Sequence, residues 1–208
     1  MRTRLLFILM FIMGSASHGQ TIFLKFGPSF SKITSTATPG ASPVIAEKGI
    51  VGFDAIAGVN YLNRHYFYLS SGIGFLQGGG EEELVSFGSP YVDEKVTVRL
   101  NFMTVNTTFN LKIPIKEIIE PYIFAGPRMD YLVSYSHLDE LFNTHPGKNY
   151  IIYGALLGGG INFKFKKIQF GLGCDYYLNL TKIVDNQKHD EQVSVNTFTV
   201  NALIGYTF

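Results

Sequence analysis

A period of two constrains this chain more than any other feature. From Ile168 onward, Ile168, Phe170, Leu172, Cys174, Tyr176, Leu178 and Leu180 alternate with Gln169, Gly171, Gly173, Asp175, Tyr177, Asn179 and Thr181. Side chains at i and i+2 share a face only in an extended strand. The run therefore predicts a strand of 14 residues, against roughly 5–6 for an ordinary globular strand. One of its faces is oily and the other small or polar.

The alternation recurs along the chain. The closing run sets Phe198, Val200, Ala202, Ile204, Tyr206 and Phe208 against Thr199, Asn201, Leu203, Gly205 and Thr207. Near 151–165, Ile151, Tyr153, Ala155, Leu157, Ile161, Phe163 and Phe165 oppose Gly154, Gly158, Gly160, Asn162 and Lys164; near 122–135, Ile123, Ala125, Met129, Tyr131, Val133 and Tyr135 oppose Gly126, Arg128, Asp130 and Ser134. Further back, Val51, Phe53, Ala55, Ala57, Val59 and Tyr61 oppose Asp54, Gly58 and Asn60, and Phe67, Leu69, Ile73 and Phe75 oppose Ser70, Gly72 and Gly74. A short segment from Thr21 to about Phe30 sets Ile22, Leu24 and Phe26 against Lys25 and Gly27. Between Val96 and Ile113 the apolar phase shifts near Phe102 and Met103, as a β-bulge would make it. Eight strands are predicted.

Connection lengths alternate as well. Long polar stretches at about 31–48, 78–95, 137–149 and 183–193 follow the odd strands, while "NRH", "PIKEIIEP" and "KK" follow the even ones. An even strand count with long loops at one end and tight turns at the other is the plan of an outer-membrane barrel. Pro39, Pro43, Pro90 and Pro146 fall in the long loops, and Pro114 and Pro121 flank a turn. Pro28 and Pro127 lie inside strands, where a bulge or a lost ladder bond is expected.

The N-terminus reads as an export signal. Arg2 and Arg4 precede an apolar run from Leu5 to Met13 and then small residues, a secretory pattern too short to span a bilayer. Residues 1–19 are expected to be removed before Gln20, with cleavage after Ala16 the other choice, leaving residues 20–208 as the barrel. No later stretch is long and apolar enough for a transmembrane helix. Without Arg2 and Arg4, the 17 basic residues fall to 15 against 16 acidic, so nothing attracts nucleic acid. The lone Cys174 cannot form an internal disulfide, and a closed sheet in lipid would stabilise the exported fold instead.

The same pattern would suit a soluble, lipocalin-like barrel with its oily face inward, so the direction rests on volume. Eight strands enclose an interior just wide enough for side chains to fill. It could hardly hold the Phe, Tyr, Leu and Ile of every strand, whereas Gly, Ser and Asn fit a narrow lumen. Lys25, Asp54, Lys112, Arg128, Asp130, Lys164 and Asp175 carry both signs on that face, and inside they can pair into a network that plugs the lumen. Facing lipid, a Lys or Arg would cost roughly 2–4 kcal/mol. The fold expected is an all-β, eight-stranded antiparallel up-and-down transmembrane β-barrel. Its last strand must close against the first, because hydrocarbon cannot satisfy a free edge.

Two features of the oily face support this. Tyr131, Tyr135, Tyr153, Tyr176 and Phe198 group toward the loop end, and Tyr61, Phe67, Phe165, Phe170, Tyr206 and Phe208 toward the turn end, as interfacial aromatic belts do. Ile204, Tyr206 and Phe208 also resemble the C-terminal signal by which outer-membrane barrels are recognised for insertion.

The chain resembles a family of small outer-membrane β-barrels common in Bacteroidota, the PorT-like or porin-family proteins. "LKFGPSFSKI" is similar to that family's first strand, and "NFMTVNTTFNLKIPIKEIIEPYIFAGP" to its central hairpin; Val105-Asn106 stands where the family often has Ile-Pro. The resemblance implies fold and location, with an accessory role in protein secretion as one possible activity.

Chemistry is harder to find. His137 with Ser134 or Ser136 is the nearest local grouping for a lipid-modifying enzyme. Glu81, Glu82 and Glu83 with Asp93 and Glu94, or His137, His145 and His189, lack the spacing of a calcium or zinc site. "GGGEEE" lacks the Lys and helix of a phosphate loop. No catalytic residue, metal or cofactor is expected. The reading is a non-enzymatic outer-membrane barrel with both mature termini in the periplasm and a structural or surface-binding role for its loops. Its expected partners are outer-membrane lipids and lipopolysaccharide, and the barrel-assembly machinery during insertion.

Overall fold

The computed structural model describes residues 20–36, 48–84, 94–115, 118–137, 149–186 and 191–208. Its strands are β1 (Thr21–Thr36), β2 (Lys48–Tyr61), β3 (Phe67–Leu84), β4 (Glu94–Lys112), β5 (Ile119–Ser136), β6 (Ile151–Phe165), β7 (Ile168–Asn179), β8 (Val184–Asn186) and β9 (Glu191–Thr207). Each is antiparallel to its neighbours, in the order β1-β2-β3-β4-β5-β6-β7-β9, and β1 pairs with β9 to close the barrel. The wall therefore has eight staves. The short β8 pairs only with the loop end of β9, through Val184↔Val193 and Asn186↔Glu191.

Several staves run longer than the alternation predicts. β1 continues to Thr36 instead of ending near Phe30, and β3 and β4 extend to Leu84 and from Glu94, shortening the expected connections at 31–48 and 78–95. The stretch at 183–193 holds β8 and the start of β9. Above the lipid-facing band the outward positions have no reason to be apolar, so the sequence signal fades there while backbone pairing continues. The proposed signal segment, residues 1–19, lies outside the described residues.

The oily face points outward. Ile22, Leu24, Phe26 and Phe30 are exposed on β1, and Ile168, Phe170, Leu172 and Tyr176 on β7. No charged side chain faces outward between the two aromatic belts among the described strand residues. From Tyr153 to Phe165 on β6 is about 40 Å of strand at about 3.3 Å per residue. A tilt of about 45° brings that to roughly 30 Å, close to the hydrocarbon thickness. At the turn end Phe67 meets Phe109 at 5.5 Å, Phe165 meets Phe170 at 6.3 Å and Tyr206 meets Phe208 at 5.3 Å.

The apolar shift near Phe102 has a different cause from the one expected. On β4 the parity never breaks: Val96, Val98, Leu100, Phe102, Thr104, Asn106, Thr108, Asn110 and Lys112 are all buried. What changes along the strand is the lumen it faces, apolar at the loop end and polar below. The bulge in this region lies on the neighbouring β5, where Asn101 opposes Ser134 but Phe102 opposes Leu132, leaving Val133 as the extra residue. Beyond it Tyr135 packs against the buried apolar cluster, so it does not join the outer aromatic belt.

The two in-strand prolines follow one pattern. β1 keeps its register with β2 at Gly27 and Pro28 while the β1–β9 pairing skips both. β5 likewise keeps Gly126 and Pro127 paired with β6 while the β4–β5 pairing skips them. Proline has no N–H to donate. The preceding glycine lets the neighbouring strand close in: a Cβ at Gly27 would strike the Val200 carbonyl, and one at Gly126 the Thr107 carbonyl.

Candidate functional site

The inward face forms a filled lumen with three tiers of charge beneath an apolar cap. Part of its shape follows from pairing large and small residues across the β5–β6 ladder. Gly154, Gly158 and Gly160 of β6 stand directly opposite Arg128, Phe124 and Tyr122 of β5. A Cβ at Gly158 would meet the Phe124 ring at 2.5 Å, and one at Gly160 the Tyr122 hydroxyl at 2.9 Å. Glycine on one strand makes room for the bulk of the next.

Nearest the turns, Glu120 bridges two lysines, with Lys112 Nζ at 3.3 Å from Oε1 and Lys164 Nζ at 2.6 Å from Oε2. Lys112 also donates to Asn63 Oδ1 at 2.6 Å, tying the β2–β3 turn to the lumen mouth. In the middle tier Lys25 pairs with Asp175, whose Oδ2 also accepts from Asn201 Nδ2 at 2.9 Å. Asp54 is buried in this tier within electrostatic reach of Lys25 and Asp175, without a salt bridge of its own. Toward the loop end Arg128 pairs with Asp130 at 3.3 Å and donates to Asn179, and its guanidinium lies 4.8 Å from the Tyr177 ring centroid.

The structure thus places all seven lumen charges expected from the sequence inside the barrel, and puts six of them in ion pairs. It adds an eighth, Glu120, which the sequence reading left in the turn. Glu120 shares the even parity of Tyr122, Arg128 and Asp130, so carrying the alternation back past Pro121 would have found it. Four cations and four anions then balance.

Above the charges, Ile33, Leu76, Val98, Leu100, Phe102, Leu132, Ile152, Ile183, Val193 and Val195 form one buried cluster. Apolar contact there closes the loop end of the lumen. The cavity left among the polar residues, lined by Lys25, Asn60, Ser70, Asn106 and Tyr122 among others, measures about 30 Å³, which is room for about one water.

Among the described residues the catalytic and metal candidates do not assemble. Ser134 Oγ accepts from Asn101 Nδ2 at 2.9 Å and Ser136 Oγ from the Arg99 N–H at 3.2 Å, while His137 bonds to neither serine. Glu81 lies 3.9 Å from Lys95, while Asp93, His145 and His189 and the side chains of Glu82, Glu83 and Glu94 lie outside what the structure describes. Among the described residues no three His, Cys, Asp or Glu side chains come together as metal ligands. Ile204, Tyr206 and Phe208 all face outward on or beside β9.

A protein family described as outer membrane protein beta-barrel domain matches residues 17–185. No curated protein sequence matches the chain. Among solved structures, the outer membrane protein OprG of Pseudomonas aeruginosa is similar over 93% of this chain and 99% of its own, at 7% identity and a TM-score of 0.57. Neisserial surface protein A is similar over 90% and 97%, at 9% identity and a TM-score of 0.48. Ail, the attachment invasion locus protein of Yersinia pestis, is similar over 91% and 100%, at 14% identity and a TM-score of 0.42. The likeness to OprG is one of fold.

Proposed function

The chain belongs to the outer membrane protein β-barrel domain family, and from that premise we propose that it is a non-enzymatic barrel with a sealed lumen, acting through its loop end. Both mature termini then lie in the periplasm, and the four long connections face outward as structural or surface-binding elements. One observation carries this reading. Among the described residues the lumen holds four cations and four anions, mostly in ion pairs, beneath a cap of apolar side chains, and the cavity among its polar residues measures about 30 Å³, so an open diffusion path is not what this interior is built for. The strands also continue past the lipid-facing band, to Thr36, Leu84 and Ser136, and form a collar that presents the connections away from the membrane.

The test is a deletion strain complemented with the intact chain or with a chain whose connections 37–47 and 85–93 are replaced by short Gly-Ser turns. The reading expects the shortened protein to insert normally, as shown by a gel mobility shift on boiling, while adhesion or surface binding follows the deletion. An export defect in the deletion strain with normal adhesion would favour an accessory secretion role of the PorT-like kind and overturn the loop-binding one.

A further inference from the structure

We propose that the outer wall carries a seat for one anionic glycerophospholipid at the turn end, with an acyl chain in an apolar groove and the phosphate on Lys167. The groove crosses β2, β1, β9 and β7, has a volume of about 570 Å³, and is lined by Ile22, Leu24, Ala57, Ile168, Ile204 and Tyr206 among others. That volume falls within the roughly 300–1,000 Å³ of clefts that hold small ligands. The concavity has a local cause. β2 presents Ala55 and Ala57 outward where β1, β7 and β9 present Ile, Leu and Tyr.

A lysine stands at the rim of the groove. Lys167 Nζ lies 5.8 Å from the centroid of the Tyr206 ring, which borders the groove. The Thr207 N–H donates to the Lys167 carbonyl at 2.8 Å, holding the β6–β7 turn against β9. Lys166 is exposed beside it, and Arg64 is exposed on the β2–β3 turn at the groove's other flank. None of the three forms an ion pair among the described residues. A cationic rim above an apolar trough matches a phosphate joined to an acyl chain. A second copy docked on the same face about a two-fold axis would instead bring its own Lys166 and Lys167 toward Arg64, cation against cation.

The chain has no Trp, so Tyr206→Trp introduces a single fluorophore into the groove. The protein would be reconstituted in phosphatidylcholine vesicles containing graded amounts of phosphatidylglycerol brominated in its acyl chains. The control reporter is Phe109→Trp, at the turn end of the opposite wall. The proposal expects quenching at position 206 to reach half its maximum at a phosphatidylglycerol fraction about five-fold lower than at position 109, the scale of one lysine's attraction. Adding Lys167→Glu, or filling the trough with Ala57→Phe, should bring the two curves together, and Lys167→Arg should keep them apart. A mobility shift on boiling checks that each variant is folded, and Lys167→Glu alone decides the matter if Ala57→Phe fails to fold. Coincident curves for the two reporters would show ordinary surrounding lipid and overturn the proposal. So would equal quenching by brominated phosphatidylcholine, or lipid-independent fluorescence in a cross-linkable dimer.

Discussion

Gly154 on β6 stands directly across the ladder from Arg128 on β5, and a methyl group there would lie 2.7 Å from the Arg128 Nη2. The buried guanidinium exists because its neighbour has no side chain. A Cβ at Gly154 would also press on the Leu178 carbonyl, so the strain has no single flexible outlet. Gly154→Ala is expected to destabilise the folded barrel by roughly 1–3 kcal/mol, the scale of overpacking. Urea unfolding in detergent, read by the gel shift on boiling, measures it.

The Gly27-Pro28 pair separates two effects within one dipeptide. Pro28 lies where the β1–β9 ladder is already open, so restoring an N–H with Pro28→Ala should change stability by less than about 1 kcal/mol. Gly27→Ala should cost more, roughly 1–3 kcal/mol, because its Cβ would drive into the Val200 carbonyl. The same urea titration ranks the two. A larger loss from Pro28→Ala would show that the open ladder depends on proline.

Lys25 and Asp175 form a buried pair. Removing one partner strands the other charge, which costs about 3–5 kcal/mol, whereas replacing both with apolar groups of similar size is often neutral. Lys25→Met and Asp175→Leu should each weaken the fold by that order, and the double variant should recover most of the loss. A double-mutant cycle on unfolding free energies gives the coupling. Additive losses would mean that Asn201 and Asp54 redistribute the charge unaided.

Orientation can be read from cysteine chemistry. Cys174 faces outward within the lipid band, so a membrane-impermeant maleimide should leave it unmodified in membranes and label it after unfolding. In a Cys174→Ser background, His137→Cys at the loop end should label on intact cells, and Lys166→Cys at the turn end only after the outer membrane is permeabilised. The opposite order would place the mature termini outside.

How much of this was legible in the sequence differs by level. Period-two alternation is local, and it identified the eight staves and set Lys25, Asp54, Lys112, Arg128, Asp130, Lys164 and Asp175 on the face opposite the oily one, while the narrow interior of eight strands decided that the oily face points outward. The alternation failed where its assumption failed. At the loop end both faces lose their contrast, so β1, β3 and β9 run on unannounced, and after Val133 one extra residue turns Tyr135 from lipid to core.

Which charges meet was decided only in three dimensions. Parity says which face a side chain occupies but not its height in the barrel, and Lys25 finds Asp175 150 positions away through the cumulative stagger of closed ladders. The apolar cap has the same origin: Ile33, Leu100, Leu132, Ile152 and Val195 come from five strands and become a seal only when closure brings them to one level. Sequence alone determined the two faces of the wall, because each face is chosen residue by residue by lipid or lumen. Tertiary structure decided what fills the interior, because that depends on the register of every strand at once.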